Sequence, residues 1–266
     1  MQALRDPMRS HPPRQPPLRQ PLRRVWWPLV LVPLAVLPPT PAAAREAATV
    51  QEILDGREFY VDGREARVKQ RAAAPQEIST RKSRGQIRFD TGAAGRVNRF
   101  SQLRLGSGCF LLRQGQILVS GPQSGCTRSA RMSVRGTNYI LEVREDGQAE
   151  LSVLEGAVEV EPLRDGEAVQ DGEPPQDGAP APSTRVEAGQ RVTLSPAGVV
   201  LTLLRLNAGD YNAIFGGSLF EGFSTPLPAF GSLESYVRRY VPGVNLPSLP
   251  VTPSLPIPGL SFPRFF

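Results

Sequence analysis

From about Ala48 to Leu206 the chain consists of short apolar stretches broken by glycine-containing turns, and this rhythm constrains the fold more than any other feature. Such breaks leave little room for a helix of ordinary length. Two hairpins can be set in register from the residues alone. In the run from Glu58 to Val68, Asp62-Gly63 suits a two-residue turn with both residues at positive φ. Phe59 then faces Ala66, Val61 shares their side with Val68, and Glu58 opposes Arg67 on the other. From Tyr139 to Val153, a three-residue loop Glu145-Asp146-Gly147 sets Val143 on Ala149, Leu141 on Leu151 and Tyr139 on Val153. A two-residue loop would set Val143 against Glu150, so the longer loop is preferred.

The run from Cys109 to Ser120 behaves differently. A turn at Gln114-Gly115 puts Phe110, Leu112, Ile117 and Val119 on one face, with Cys109, Leu111 and Leu118 on the other. Both faces are apolar, so this hairpin is expected inside a layered structure, covered on both sides. Further strands are expected at 157–160, 190–194 and 199–204. The predicted class is all-β: a layered sandwich or a β-solenoid-like domain of antiparallel hairpins. A short C-terminal helix and a Pro-rich tail follow.

The N-terminus reads as a leader. Six Arg and one Asp precede Arg45, and the only histidine, His11, is also there. Thirteen apolar residues, Val25–Leu37, follow Arg23-Arg24; at ~1.5 Å rise they are too short for a ~30 Å hydrocarbon core. Ala42-Ala43-Ala44 supplies a small-x-small site, so residues 1–44 are expected to be a signal peptide, with Met8 an alternative start. The competing reading is an uncleaved anchor. Export would place the protein in the periplasm, at the cell surface or outside the cell, with no transmembrane helix after cleavage.

Arg45 onward carries 25 Lys+Arg and 24 Asp+Glu, so the high pI belongs mostly to the leader, which argues against a nucleic-acid partner. Without histidine the mature chain cannot run Ser–His–Asp or Cys–His chemistry. Its two cysteines, in an oxidising space, suggest one disulfide, Cys109–Cys126, with two buried thiols as the alternative. The loop Gly121–Gly125 would return Cys126 beside Cys109, opposite Ser120. Closing about 16 residues is worth roughly 3 kcal/mol in the chain-entropy picture.

Segment 162–184 carries Asp165, Asp171 and Asp177, each followed by Gly, with several prolines and few apolar residues. It reads as an acidic loop; three Asp without a glycine-rich nonapeptide do not make a calcium repeat. No metal or cofactor is expected. After Asn207, Ser232–Val241 has a Ser N-cap and helical apolar spacing. The Pro-rich stretch 242–266 is expected to be extended, either a docking element or a plain extension.

Residues 45–135 hold 17 basic and 8 acidic groups; residues 136–205 hold 5 and 13. Either the two halves attract one another, or Arg81, Lys82, Arg84, Arg88, Arg96, Arg99 and Arg104 form a basic face for an anionic polymer, lipid headgroups or an acidic protein.

The run Met132-Ser133-Val134-Arg135-Gly136-Thr137-Asn138-Tyr139-Ile140-Leu141-Glu142-Val143, followed by Leu151-Ser152-Val153-Leu154-Glu155-Gly156-Ala157-Val158-Glu159-Val160, resembles the signature of the FecR domain family. The residues carrying the likeness are Val134, Arg135, Gly136, Thr137, Tyr139, Leu154, Glu155, Gly156 and Val158. Flanking strands at 87–93, 101–106 and 186–194 are similar as well, so the likeness spans about 49–205, the β domain being set at 45–206. The residues around the two cysteines look similar to the exported, single-domain cyanobacterial type. The resemblance implies a non-enzymatic envelope or periplasmic module that senses or binds another protein. Family members that pass signals to a sigma factor add a cytoplasmic helical domain and a transmembrane helix, which the 24 Pro/Arg-rich residues before the apolar run do not resemble. Gly136 and Gly156 are expected to be bulge or left-handed turn positions.

The main expectation is therefore an exported interaction module whose partner is an envelope protein or an anionic polymer. A membrane-anchored regulator of transmembrane signalling is the first alternative. A polysaccharide-active enzyme using Glu142, Glu150, Glu155 or Glu159 is the second, although alternating outward Glu usually marks a solvated face. N-terminal sequencing of the exported protein is expected to begin at Arg45; a retained leader would favour the anchored regulator.

Overall fold

The longest sequence alternation builds the longest strands. In the computed structural model, which describes residues 46–163 and 183–247, β1 (Ala47–Leu54), β2 (Phe59–Val61), β3 (Arg64–Glu65), β4 (Arg71–Ala73), β5 (Glu77–Thr80) and β6 (Arg84–Phe89) come first. They are followed by β7 (Ala94–Val97), β8 (Gln102–Arg104), β9 (Phe110–Gly121), β10 (Gly125–Cys126), β11 (Ala130–Val143) and β12 (Ala149–Pro162). β13 (Thr184–Glu187), β14 (Gln190–Leu194) and β15 (Val200–Arg205) complete the strands, and α1 (Ala208–Phe215) and α2 (Phe230–Tyr240) the helices. The leader, the acidic segment with Asp165, Asp171 and Asp177, and residues 248–266 lie outside the described residues.

The described residues are all-β apart from these two helices. One open, branched sheet runs β15-β14-β12-β11-β10-β9-β7-β6-β1-β4, with β13 beside β12 and a branch of β8, β5, β2 and β3 leaving β9. β10 runs parallel to β9. Its inner side encloses the main core, including Val50, Phe59, Ile78, Ile87, Phe110, Ile117, Tyr139, Leu151, Val158 and Val192.

The Tyr139–Val153 hairpin has the register set out above: Val143 pairs with Ala149, Leu141 with Leu151 and Tyr139 with Val153. Gly147 takes the left-handed position at φ 82°. In the first hairpin Val61 pairs with Arg64 and Tyr60 with Glu65, around Asp62 and Gly63 at φ 48° and 70°. That ribbon stops at Glu65, however. Val68 is exposed, and Glu58 accepts the Lys82 amide instead of facing Arg67.

The expected turn at Gln114-Gly115 is not a turn. β9 runs straight through it as a twelve-residue strand. Gln114 pairs with Gln102 and Leu112 with Leu103, so Arg113 is an extra residue, and Gly115 has φ 87°. A bulge flips side-chain alternation just as a reversal does, so the face assignments hold while the connection differs. Phe110, Leu112, Ile117 and Val119 face the main core; Leu118 belongs to the outer layer, and Cys109 and Leu111 to a small third cluster. Because β9 does not reverse, Ser120 lies far along the strand from Cys109, opposite Asn138. Cys109 and Cys126 are nonetheless joined, with Cα atoms 5.8 Å apart, because the parallel strand β10 returns beside the start of β9. Nearby, burial pushes the Glu46 carboxyl up to about 7, although it accepts Gln123 Nε2 at 2.6 Å.

The C-terminal part covers the outer side of the sheet. Leu206, Tyr211, Phe215, Leu219, Phe220, Leu227, Leu233 and Val237 pack on Ala94, Leu118, Ile140 and Leu154. α1 starts in a reciprocal cap: Asn207 Oδ1 accepts the Asp210 amide at 3.1 Å, and Asp210 Oδ2 accepts the Asn207 amide at 2.8 Å. α2 begins at Phe230, before Ser232. Ser232 is not its N-cap; its hydroxyl donates back to the Ala229 carbonyl at 2.9 Å.

Midway along the β11–β12 ribbon the register breaks between Arg135 and Tyr139. Gly136 at φ 52° and Gly156 at φ 87° lie at this break, and a Cβ on Gly156 would stand 2.5 Å from Thr137 Cγ2 and 3.1 Å from the Gly136 carbonyl. Both the dihedral and the space exclude a side chain. Gly156→Ala is expected to cost about 2 kcal/mol or more, read as a lower urea midpoint at unchanged slope. A neutral result would show that the bend tolerates a side chain.

Candidate binding surface

The seven cationic residues proposed as a basic face do not form one. Arg84 and Arg96 are buried. On antiparallel β6 and β7 they point to the outer side, where the segment 216–229 lies over them. Arg96 Nε donates to Gln86 Oε1 at 2.9 Å, Nη1 to the Leu219 carbonyl and Nη2 to the Thr225 carbonyl, both at 3.0 Å. Its guanidinium stacks 4.3 Å from the Phe223 ring centroid and 5.6 Å from that of Phe220. Burial lowers its pKa to about 10, and Arg84 adds to the effect. Arg84 grips Asp55 at 2.6 Å and also donates to the Ser218 and Glu221 carbonyls. Glu52 completes the clamp, accepting from the Ser224 amide and hydroxyl and from the Thr225 amide at 2.7–2.9 Å. Burial alone would raise its pKa, but these hydrogen bonds outweigh that and lower it.

The other five are scattered. Arg81 lies 6.0 Å from the centroid of the Tyr60 ring, and Lys82 and Arg88 are exposed. Arg99 pairs with Asp55 at 2.6 Å, and Arg104 donates to the Pro75 carbonyl at 3.0 Å. Arg84 and Arg96 alternate with apolar residues of β6 and β7, and the C-terminal segment that covers them cannot be inferred from those two strands.

The residues that carry the family resemblance build the bend and seat the second helix. Thr137, Tyr139, Leu154 and Val158 are buried, and Val134 packs against the main core. The Tyr139 hydroxyl donates to the Gln123 carbonyl at 2.7 Å, and burial raises its pKa. Glu155 accepts Asn138 Nδ2 at 2.9 Å, and the same amide group donates to the Ala229 carbonyl at 2.9 Å, fixing the start of α2. Arg135 is exposed, on the rim of a cleft.

That open cleft, about 910 Å³, lies between the bend, the β13–β14 junction, the end of β15 and the C-terminal end of α2. Arg135, Arg185, Arg205, Tyr236 and Tyr240 supply its functional groups. Arg185 is shared by Glu187 at 3.3 Å and Glu159 at 3.8 Å. Among the described residues, Arg135 and Arg205 have no carboxylate partner within ion-pair distance. The tyrosine rings lie 5.1 Å apart. Tyr211 donates to the Leu154 carbonyl at 2.8 Å and is hydrogen-bonded to Tyr236; burial raises both hydroxyls. Gly189 lets this pair approach, since a Cβ there would stand 3.0 Å from the Tyr236 hydroxyl. Two guanidinium groups without a carboxylate partner among the described residues, at a cleft also lined by two tyrosines, suit an extended anionic ligand held by charge-assisted hydrogen bonds. Arg185, Arg205, Tyr236 and Tyr240 went unread in the sequence, because no local spacing links positions a hundred residues apart. Among the described residues no cluster of His, Cys, Asp and Glu could hold a metal, and no helix is long and apolar enough to cross a membrane.

No protein-family profile matches the chain, and no curated protein is detectably similar to it. Among solved structures, it aligns with two crystal structures, at 2.50 and 1.65 Å, of a proposed anti-sigma factor from Parabacteroides distasonis ATCC 8503. Each has 19% identity and a TM-score of 0.39. The first alignment covers 53% of this chain and 64% of that one; the second covers 62% and 74%.

The clamp makes a specific demand on Arg96. Arg96→Met leaves the Leu219 and Thr225 carbonyls without their donor. It is expected to cost about 2–4 kcal/mol and to open residues 216–229 to limited proteolysis while the β-sheet signal in circular dichroism persists. Unchanged protease resistance would show that the apolar contacts alone hold the segment.

Proposed function

We propose that this chain is a non-catalytic, exported recognition module of FecR-like type, and that it binds an anionic segment of an envelope protein or an anionic envelope polymer through the Arg135–Arg205–Tyr240 cleft. The observation that carries the reading is the pair of guanidinium groups at the cleft that have no carboxylate partner among the described residues, where the FecR-like bend, the end of β15 and α2 converge. The disulfide suits an oxidising compartment.

The carboxylates considered for glycoside chemistry support the same reading. Glu142 accepts Gln116 Nε2 at 3.0 Å, and Glu150 lies between Arg191 at 3.2 Å and Arg144 at 3.5 Å. Glu155 holds Asn138, and Glu159 lies 3.8 Å from Arg185. These carboxylates are thus engaged by neighbouring side chains across strands.

A photo-crosslinking amino acid in place of Tyr240, activated in the native envelope, tests the proposal. One dominant adduct is expected, lost in the Arg135→Ala/Arg205→Ala double variant. No adduct, or an adduct indifferent to those arginines, would refute it.

A further inference from the structure

Among the described residues β15 ends the sheet and pairs with β14 alone, so its other edge has no strand beside it there. Of the seven large apolar residues left exposed among the described residues, four are Val199, Leu201, Leu203 and Leu204, between 48 and 60% exposed. They form one stretch of chain, without Pro, Lys or an acidic residue. Proteins normally blunt such an edge. The single protective device is a bulge: Thr202 pairs with Thr193 and Val200 with Leu194, leaving Leu201 as the extra residue. It lies towards one end, and Thr202–Arg205 stay regular.

We propose that this edge is an interface between two copies of the chain, joined antiparallel about a two-fold axis at Leu203, so that the sheet continues from one protomer into the next. The register follows from the backbone. The Leu206 amide donates to the Gly189 carbonyl, towards β14. By alternation Leu204 and Thr202 also face β14, and Leu203 and Arg205 turn their N–H and C=O outward. A two-fold at Leu203 therefore lets the two Leu203 residues exchange both hydrogen bonds. Leu201 is set against Arg205 of the second copy, and Thr202 against Leu204.

Charge favours this occupant. The centre of the strand is neutral, and the two Arg205 residues fall four residues apart, roughly 13 Å, beyond the ~8 Å screening length of physiological salt. In the chain's own stretch 247–266 the sequence places Pro247, Pro250, Pro253, Pro256, Pro258 and Pro263 at both parities, which disfavours it as a long paired strand. One added strand per protomer is a small interface, so the dimer is reversible.

Sedimentation equilibrium of the protein purified after export tests the proposal. The average mass is expected to rise towards twice the monomer value as concentration increases through roughly the micromolar range, and to stay monomeric in Leu203→Lys. A second variant guards against misfolding. Paired Leu203 residues would have Cα atoms ~5.5 Å apart, within disulfide range. Leu203→Cys should therefore give a covalent dimer on oxidation, while Val199→Cys should not. A monomer at every concentration, a Leu203→Cys adduct with another protein, or an open-ended ladder of oligomers would each overturn the proposal.

Discussion

The bend in the β11–β12 ribbon is the constraint on which the rest depends. Two fourteen-residue strands are too long to stay flat beside a curved core, and the chain relieves them at one place. Gly136 and Gly156 take backbone conformations that side chains resist, and buried Thr137 fills the space between them. Below the bend the ribbon faces β9 and β14; above it the ribbon faces β10 and β13. The register break also brings Asn138 and Glu155 together on the outer side, where they hold the start of α2. The cleft exists because α2 ends beside the same bend.

The second organising force is solvation. Burying a guanidinium is costly unless every donor is met. Arg96 meets three of its five donors, through two backbone carbonyls and a glutamine, and lays its guanidinium over two aromatic rings. Glu52 receives the amides of the same loop. Cationic and anionic groups of the early strands thus recognise opposite ends of the peptide dipoles in one late segment. That complementarity is directional in a way that apolar packing is not, and it fixes the position of the segment along the sheet.

Much of the strand layout could be read from the residues because strand pairing is local in hairpins. Tyr139 with Val153 and Val61 with Arg64 needed only alternation and a turn type. The β9 strand shows where that reasoning fails: alternation records parity, and a bulge at Arg113 and a reversal at Gly115 change parity identically. The cap at Asn207 and Asp210 is legible in principle, as two polar residues three apart at the start of a helix. The cleft was not legible. Arg135, Arg205 and Tyr240 meet only because three separate connections return to one corner, and no pattern in a linear text encodes that meeting. The same holds for the burial of Arg84 and Arg96.

The distance in sequence between Arg96 and its acceptors bears on how the molecule assembles. Leu219 and Thr225 are delivered more than a hundred residues after β7, so a nascent chain can align its early strands but cannot neutralise the wet, cationic stripe on their backs. The carboxyl-terminal segment is therefore a latch carried late in the chain. A polypeptide ending between residues 207 and 215 would contain every described strand yet lack both carbonyls that receive Arg96.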